Sequence, residues 1–338
     1  MELSIIIVNW NSAAYVRQCL RSLARHAPTR SHEIIIVDSG SFDACGEMLA
    51  REFPTAIFVQ SSGNIGFASA NNLGAARAQG RYLLFLNPDT EVHAGAVDQL
   101  LQTLDRHPGA GLAGARLLNA DGSLQTSCVQ AFPTLLNQLL DSDVLYRALP
   151  LSPLWGIAAL SDQSPGPKPV EVISGACLLV RRAVFEIVKG FDQRFFMYSE
   201  DLDLCYRVKQ AGFDRLYDPA ALITHHGGGS SNSARSMFSV VMTRESVRRF
   251  FSLNRGPLAA LGYRVTTGLA AFVRLPLVLG LGMVKRKSGG KNFSAVKKWF
   301  AILRWSFGLE SWAARKTGSA AGTPVVRSGN EIKPSCVA

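Results

Sequence analysis

Residues 3–12 read LSIIIVNWNS. The apolar run at 5–8 stops abruptly at Asn9, with Trp10 and Asn11 behind it. Such a run is too short for a core helix and too continuous for a strand with one wet face. It reads as a strand buried on both sides. The pattern recurs outward along the chain. Residues 34–37 are followed by Asp38, Ser39, Gly40, Ser41 and Asp43. Residues 57–59 form a third run, and residues 82–86 a fourth, ending in Asn87, Pro88, Asp89, Thr90 and Glu91. Helical spacing fills the gaps at 13–23 and 68–79, with Gly80 expected to cap the second. Buried strands alternating with helices predict an α/β fold, a mixed and mostly parallel sheet with helices on both faces. Further strands are expected at 170–174, 177–180 and 222–224, and a short helix at 199–211 capped by Gly212. Residues 132–169 are leucine-rich and then Pro/Gly/Ser-rich, and read as an insertion over one end of the sheet.

Charge divides the chain. Residues 1–243 hold 19 Lys/Arg against 22 Asp/Glu, whereas residues 244–338 hold 17 against 3. A catalytic domain is therefore expected over 1–243, a basic amphipathic helical region over 244–315, and a disordered tail over 316–338. A basic segment needs an anionic partner, and the apolar stretch 257–284 beside it favours a membrane surface over nucleic acid. Arg264, Arg274 and Pro276 interrupt that stretch, so an interfacial anchor is expected rather than a span. The six cysteines are scattered without CxxC spacing, which points to small buried hydrophobes and to no zinc site or disulfide framework. No basic segment precedes the first strand and polar Asn9 follows it, unlike a signal peptide, so a cytoplasmic catalytic part at the inner face of the cell membrane is expected.

Ligands of open α/β sheets bind beyond the carboxyl ends of the strands. Asn9 and Asn11, Asp38, and Asn87 with Asp89 would meet there. No GxGxxG follows the first strand and no GxxxxGK[ST] occurs, which excludes a dinucleotide fingerprint and a P-loop. A diphosphate without a glycine cradle needs a divalent cation, and Mg²⁺ or Mn²⁺ takes oxygen ligands and an occasional imidazole. Asp89 and a later histidine could supply them. Glu200-Asp201-Leu202-Asp203 opens the helix at 199–211, and His225-His226 follows the last strand. The HGGG at 226–229 lacks the GxSxG elbow that an esterase requires. Asp38 and Asn87-Pro88-Asp89 also suit plain turns, and Asp201 a plain helix cap.

Six pieces in order carry a resemblance. They are SIIIVNWNS at 4–12, EIIIVDSGSFD at 33–43, NIGFASANNLGAARAQGRYLLFLNPDTEV at 64–92, SGACLLVRR at 174–182, GFDQRFFMYSEDLDLCYRVKQAGF at 190–213 and ITHHGGGS at 223–230. The chain resembles the inverting family 2 glycosyltransferases of GT-A fold, in their bacterial rhamnosyltransferase-like branch. The resemblance implies Asp201 as catalytic base, with Glu200 and Asp203 as its rivals. It implies Asp38 at the nucleobase, and Asn9, Asn11, Gly66, Asn71 and Asn87 on the donor side. Asp89 and His225 would hold the cation. Ser39 stands where the family often has Asn, and Asn87 where the basic motif has Asp. The expected partners are a nucleotide-diphosphate sugar, a lipid-linked or polysaccharide acceptor and an anionic membrane surface. A nucleotidyltransferase would carry a glycine- and Arg/Lys-rich loop where Val8–Ser12 stands. A non-catalytic nucleotide-sugar scaffold is the third reading.

Overall fold

The computed structural model describes residues 1–141, 145, 148–149, 152–227, 237–284 and 289–318. In chain order its elements are β1 (Leu3–Asn9), α1 (Ala13–Arg25), β2 (His32–Asp38), α2 (Cys45–Glu52), β3 (Ile57–Gln60), α3 (Phe67–Ala75), β4 (Tyr82–Leu86), β5 (Thr90–Val92), α4 (Ala96–Arg106) and β6 (Ala110–Leu118). There follow β7 (Val129–Gln130), α5 (Leu135–Leu139), α6 (Ala158–Ser161), β8 (Lys168–Pro169), β9 (Val172–Ile173), β10 (Cys177–Arg181), α7 (Arg182–Ile187), α8 (Glu200–Gln210) and β11 (Asp214–His225). Four helices finish the described chain: α9 (Met237–Arg255), α10 (Pro257–Val284), α11 (Gly289–Ser306) and α12 (Ser311–Gly318).

The main sheet runs β3-β2-β1-β4-β10-β6-β11-β5, with β8 on β11. β1, β2, β3 and β4 are mutually parallel, and every residue of β1 is buried. β10 is antiparallel to both β4 and β6, which makes the sheet mixed. Helices close over it with apolar faces inward, as with Val16, Cys19, Leu20 and Leu23 of α1. The described cysteines are all buried and unpaired, and burial pushes the thiols of Cys19, Cys45, Cys177 and Cys205 up to about 12.

Several expectations need correction. α3 ends at Ala75, so Gly80 is no helix cap. It lies against β1, where a Cβ would come within 2.4 Å of the Ser4 nitrogen, and its own N–H donates to Ser4 Oγ at 2.8 Å. The nine-residue β6 was not expected at all. Its AGLAGARLL has little β-branched signal because Gly114 must admit Ile173, whose Cγ2 lies 2.1 Å from where a Cβ would sit. β11 starts eight residues before the expected 222. Its register shift between Asp218 and Leu222 takes up Pro219, which reads in sequence as a stop. The end of the 132–169 segment is not all insertion, since β8 joins the sheet. α9 begins at Met237, so the expected boundary at 243/244 falls inside one helix. α10 continues through Pro276. Residues 319–338 of the expected tail lie outside the described residues, as do Gly228–Ser230 of the ITHHGGGS piece.

The C-terminal helices have their own core of Val241, Met242, Val247, Phe251, Ala260, Tyr263, Ala301, Trp305 and Ala313. At its centre the Trp305 indole donates to Glu245 Oε2 at 2.9 Å, and Glu245 also pairs with Arg248. Phe196 and Tyr198, from the turn before α8, pack into this same core.

Candidate active site

Three strand ends supply polar groups. At the end of β1 the Asn9 side chain is fully buried. Its amide donates to Asp38 Oδ2 at 2.8 Å and to Ser41 Oγ at 3.1 Å, and its Oδ1 accepts from Ser12. Asp43 Oδ2 accepts from Ala13 N–H at 2.7 Å, at the start of α1. Asn9 is therefore spent on joining the β1 and β2 loops, and positions rather than contacts a ligand. Asp38 is buried too, with Oδ1 accepting from Ser41 N–H at 2.8 Å. Asn11 is exposed at the rim with φ 52°, its Oδ1 accepting from Phe42 N–H. Asn71 is buried in α3 and donates to Phe67 O at 3.0 Å.

The second group lies where β4 and β11 end. Gln125 Oε1 can only accept, so its 2.7 Å contact makes Nδ1 the protonated nitrogen of His225. Gln125 Nε2 donates to Asn119 Oδ1, which fixes the amide's direction. In the neutral ring the lone pair at His225 Nε2 then faces Asp89 Oδ1 at 3.3 Å, with Asn87 Nδ2 3.4 Å away. Asp89 is buried, and Asn87 Oδ1 is buried with no hydrogen-bond partner among the described residues. This is an acceptor-rich hollow, and a cation would balance it. Its carboxylate, amide oxygen and imidazole suit Mg²⁺ or Mn²⁺. Among the described residues no group of three or more His, Cys, Asp or Glu could hold a metal, so Asp89 and His225 would need diphosphate oxygens and water to complete a shell. His226 turns elsewhere, to Glu91 Oε1 at 2.7 Å.

The third group is the start of α8. Asp201 Oδ2 accepts from Gly175 N–H at 2.8 Å and Oδ1 from Leu202 N–H at 2.8 Å. Ala176 O, one residue on from Gly175, accepts from Asn87 N–H at 3.0 Å. Two adjacent peptides thus tie Asp201 to the Asn87–Asp89–His225 group. Burial pushes the Asp201 carboxyl above the ordinary carboxylate range, and the two backbone donors pull part of the way back. Burial, and then the charge of Asp201, push Glu200 well up as well. Glu200 Oε2 is buried with no partner among the described residues. Asp203 drops out as a rival base, because Arg207 Nε holds its Oδ2 at 2.7 Å and Asn254 holds its Oδ1 at 3.2 Å.

The turn before α8 is strained. Tyr198 and Ser199 have φ of 70° and 64°, a left-handed conformation that costs non-glycine residues. Contacts from both sides hold it. Phe67 N–H donates to Phe196 O at 2.8 Å, and Ser246 Oγ of α9 donates to Met197 O at 2.9 Å. Gly66 is required here: its φ is 80°, and a Cβ would come within 2.4 Å of Phe196 O. Gly66 thus serves closure of this turn. Gln125, Gly175, Ala176 and Ser246 were missed in the sequence, where nothing about them stands out.

Residues 4–187 match the family described as Glycosyl transferase family 2. Over 241 residues the chain is 32% identical to an N-acetylglucosaminyl-diphospho-decaprenol L-rhamnosyltransferase of Mycobacterium tuberculosis, covering 68% of this chain and 77% of that one. It is 26% identical over 244 residues to Rhamnosyltransferase WbbL of Escherichia coli strain K12, covering 70% and 86%. Among solved structures it is similar in fold to the mannosyltransferase PcManGT from Pyrobaculum calidifontis in complex with GDP-Man and Mn²⁺. That likeness has a TM-score of 0.57 at 14% identity, over 91% of this chain and 88% of the other.

Proposed function

This chain belongs to glycosyl transferase family 2, and from that premise we propose that it moves a sugar, rhamnose in the first instance, from a nucleotide-diphosphate donor to a lipid-linked acceptor with inversion. The nucleotidyltransferase reading gives way to the family. One observation carries the proposal: the acceptor-rich group of Asn87, Asp89 and His225 is tied through the Ala176 and Gly175 peptides to Asp201.

Asp201 is the base. It takes the proton from the acceptor hydroxyl as that oxygen attacks the anomeric carbon. The bond from the anomeric carbon to the diphosphate oxygen breaks on the opposite face, which inverts the centre. Such base catalysis typically contributes about 10²–10⁴ in rate. Asp89 and His225 would hold a divalent cation, whose positive charge would stabilise the departing diphosphate. Gln125 holds His225 in the tautomer that presents Nε2 to that ion. The strained 196–199 turn, gripped from α3 and α9, holds Asp201 at the cleft. The test is thermal unfolding with UDP, dTDP and GDP, each with and without Mn²⁺. A nucleotide at 100 times its Kd stabilises the fold by about 2.7 kcal/mol. A shift that requires Mn²⁺ and disappears in Asp89→Ala supports the reading; equal shifts without metal overturn its metal-dependent part.

The acceptor class rests on the name of the mycobacterial relative and on α10. Leu258, Leu261, Val265, Leu269, Phe272, Val273, Leu277 and Leu279 form an exposed stripe along that helix, Leu258 being 82% and Phe272 67% exposed. The two arginines that interrupt the stretch point into the protein. Arg264 donates to the carbonyls of Trp305 and Ser306, and Arg274 to those of Leu139 and Asp141. Among the described residues no helix is long and apolar enough to cross a membrane. A helix with leucines outward, in a region of 17 Lys/Arg against 3 Asp/Glu, suits an anionic bilayer surface, here the inner face of the cell membrane.

A further inference from the structure

A cleft of about 180 Å³ lies between α9 and α11, lined by Ser239, Val240, Thr243, Arg244 and Lys298. Two cations line a space large enough for a phosphate or diphosphate group, while the Thr243 hydroxyl donates to Ser239 O at 2.7 Å. A third cation stands beside it. Arg244 Nη2 meets Asp141 Oδ2 at 3.2 Å, and Arg274 Nη1 donates to the backbone oxygen of the same residue at 3.0 Å. The Arg274 guanidinium lies 4.8 Å from the centroid of the Trp299 ring and the Lys298 ammonium 5.2 Å from it. Burial holds Arg274 below its ordinary range, and the opposing effect of Asp141 exceeds that of Arg244. One carboxylate thus stands among three cations, Arg244, Arg274 and Lys298, and a bound anion would offset the remaining positive charge.

The surroundings decide what kind of anion. Val273 and Leu277, flanking Arg274 on α10, are exposed, and so is Phe300 beside Trp299. Cationic cleft and apolar ground adjoin, which matches a phosphate carried on an apolar chain. On the other side Ser239 hydrogen-bonds Tyr198, three residues from Asp201. The cleft is therefore next to the turn that carries the base. We propose that this cleft seats the phosphate of the lipid acceptor, with Lys298 and Arg244 as its contacts and the acceptor's chain lying along α10. The proposal rests on the lipid-acceptor reading above. It adds a specific seat, so that membrane docking and acceptor recognition become separate properties of one bundle.

The test uses the full chain and vesicles of phosphatidylcholine doped with geranylgeranyl diphosphate, or with phosphatidylglycerol at matched charge. The wild type should bind the prenyl diphosphate vesicles about tenfold more tightly than the matched ones. Lys298→Gln should erase that preference, and Lys298→Arg should retain it. The Mn²⁺-dependent nucleotide shift, read on every variant, reports that the fold is intact. Preference retained in Lys298→Gln overturns the seat while leaving the lipid-acceptor reading standing. A wild type that treats both vesicles alike overturns the lipid-phosphate reading itself. Inorganic diphosphate that abolishes the preference only at concentrations far above the prenyl compound supports a lipid ligand; equal potency overturns it.

Discussion

The sheet domain and the C-terminal bundle dispose of their apolar residues in opposite ways. Helix α1 turns Val16, Leu20 and Leu23 onto the sheet and leaves charge outside. Helix α10 turns its arginines inward, onto backbone carbonyls, and leaves eight large apolar side chains on the surface. α10 keeps its helix in spite of Pro276 and four glycines. The difference lies in the face each leaves outside: charged over α1 and apolar over α10, as the proposed membrane contact requires. The two regions meet at the 196–199 turn, where Phe196 and Tyr198 join the bundle's core and Asp201 begins the cleft. Asp201 thus stands on a joint between the sheet domain and a bundle with an apolar outer face.

The largest expected effect lies on the sheet side of that joint. Asp201→Asn should lower kcat by about 10²–10⁴ while nucleotide binding is kept. Steady-state transfer assays with a Mn²⁺ titration would separate the two, and full activity in the variant would remove Asp201 from the mechanism. Next comes Gln125→Leu, which frees His225 to change tautomer and should raise the Mn²⁺ needed for half-maximal activity by about 10–100-fold. An unchanged metal requirement would detach His225 from the ion. On the bundle side, Leu269→Glu with Phe272→Glu should weaken vesicle binding by several kcal/mol, at about 1.5–3 kcal/mol per large apolar side chain withdrawn, with the nucleotide shift intact. Co-sedimentation that does not respond would mean that the exposed stripe faces no bilayer.

The smallest effect is a pH dependence of stability. Glu200 has its carboxyl raised by burial, so the folded state binds the proton more tightly than the unfolded chain does. Its stabilising contribution is complete below the ordinary glutamate value of 4.5 and is lost as pH rises from there through the raised folded value. Glu200→Gln removes that loss. Relative to wild type, its Tm should therefore improve as pH rises through this window and then level off. A pH-independent difference between the two would place Glu200 outside the buried, proton-binding role.

Much of this was legible in the chain because it depends on near neighbours. Runs such as SIIIVN and YLLFLN mark buried strands by continuous apolar content, and the polar residues that follow must stand at strand ends. That alone placed Asp38, Asn87 and Asp89 at one edge of the sheet. The surplus of basic residues after position 243 likewise marked the bundle. What sequence could not show depends on distant contacts. Gly80 reads as a cap, and only the approach of β1 shows that it makes room for Ser4. β6 reads as a weak segment because Gly114 fits Ile173, about sixty residues away in the chain, and Gly111 fits Val184, Val208 and Phe213, at positions that no local pattern marks.

The same division runs through the site. Sequence by itself determined the fold class, the strand-end clusters and the pairing of an acidic helix start with a late histidine. Only the tertiary structure decided their duties. It consumed Asn9 in a loop junction and Asp203 in an ion pair with Arg207, while leaving Asp201 tied to Gly175 beside the cleft. It fixed the His225 tautomer through Gln125, a hundred residues upstream. The physical reason is that a residue type gives the donors and acceptors a side chain owns, whereas its role depends on which of them the fold has already satisfied.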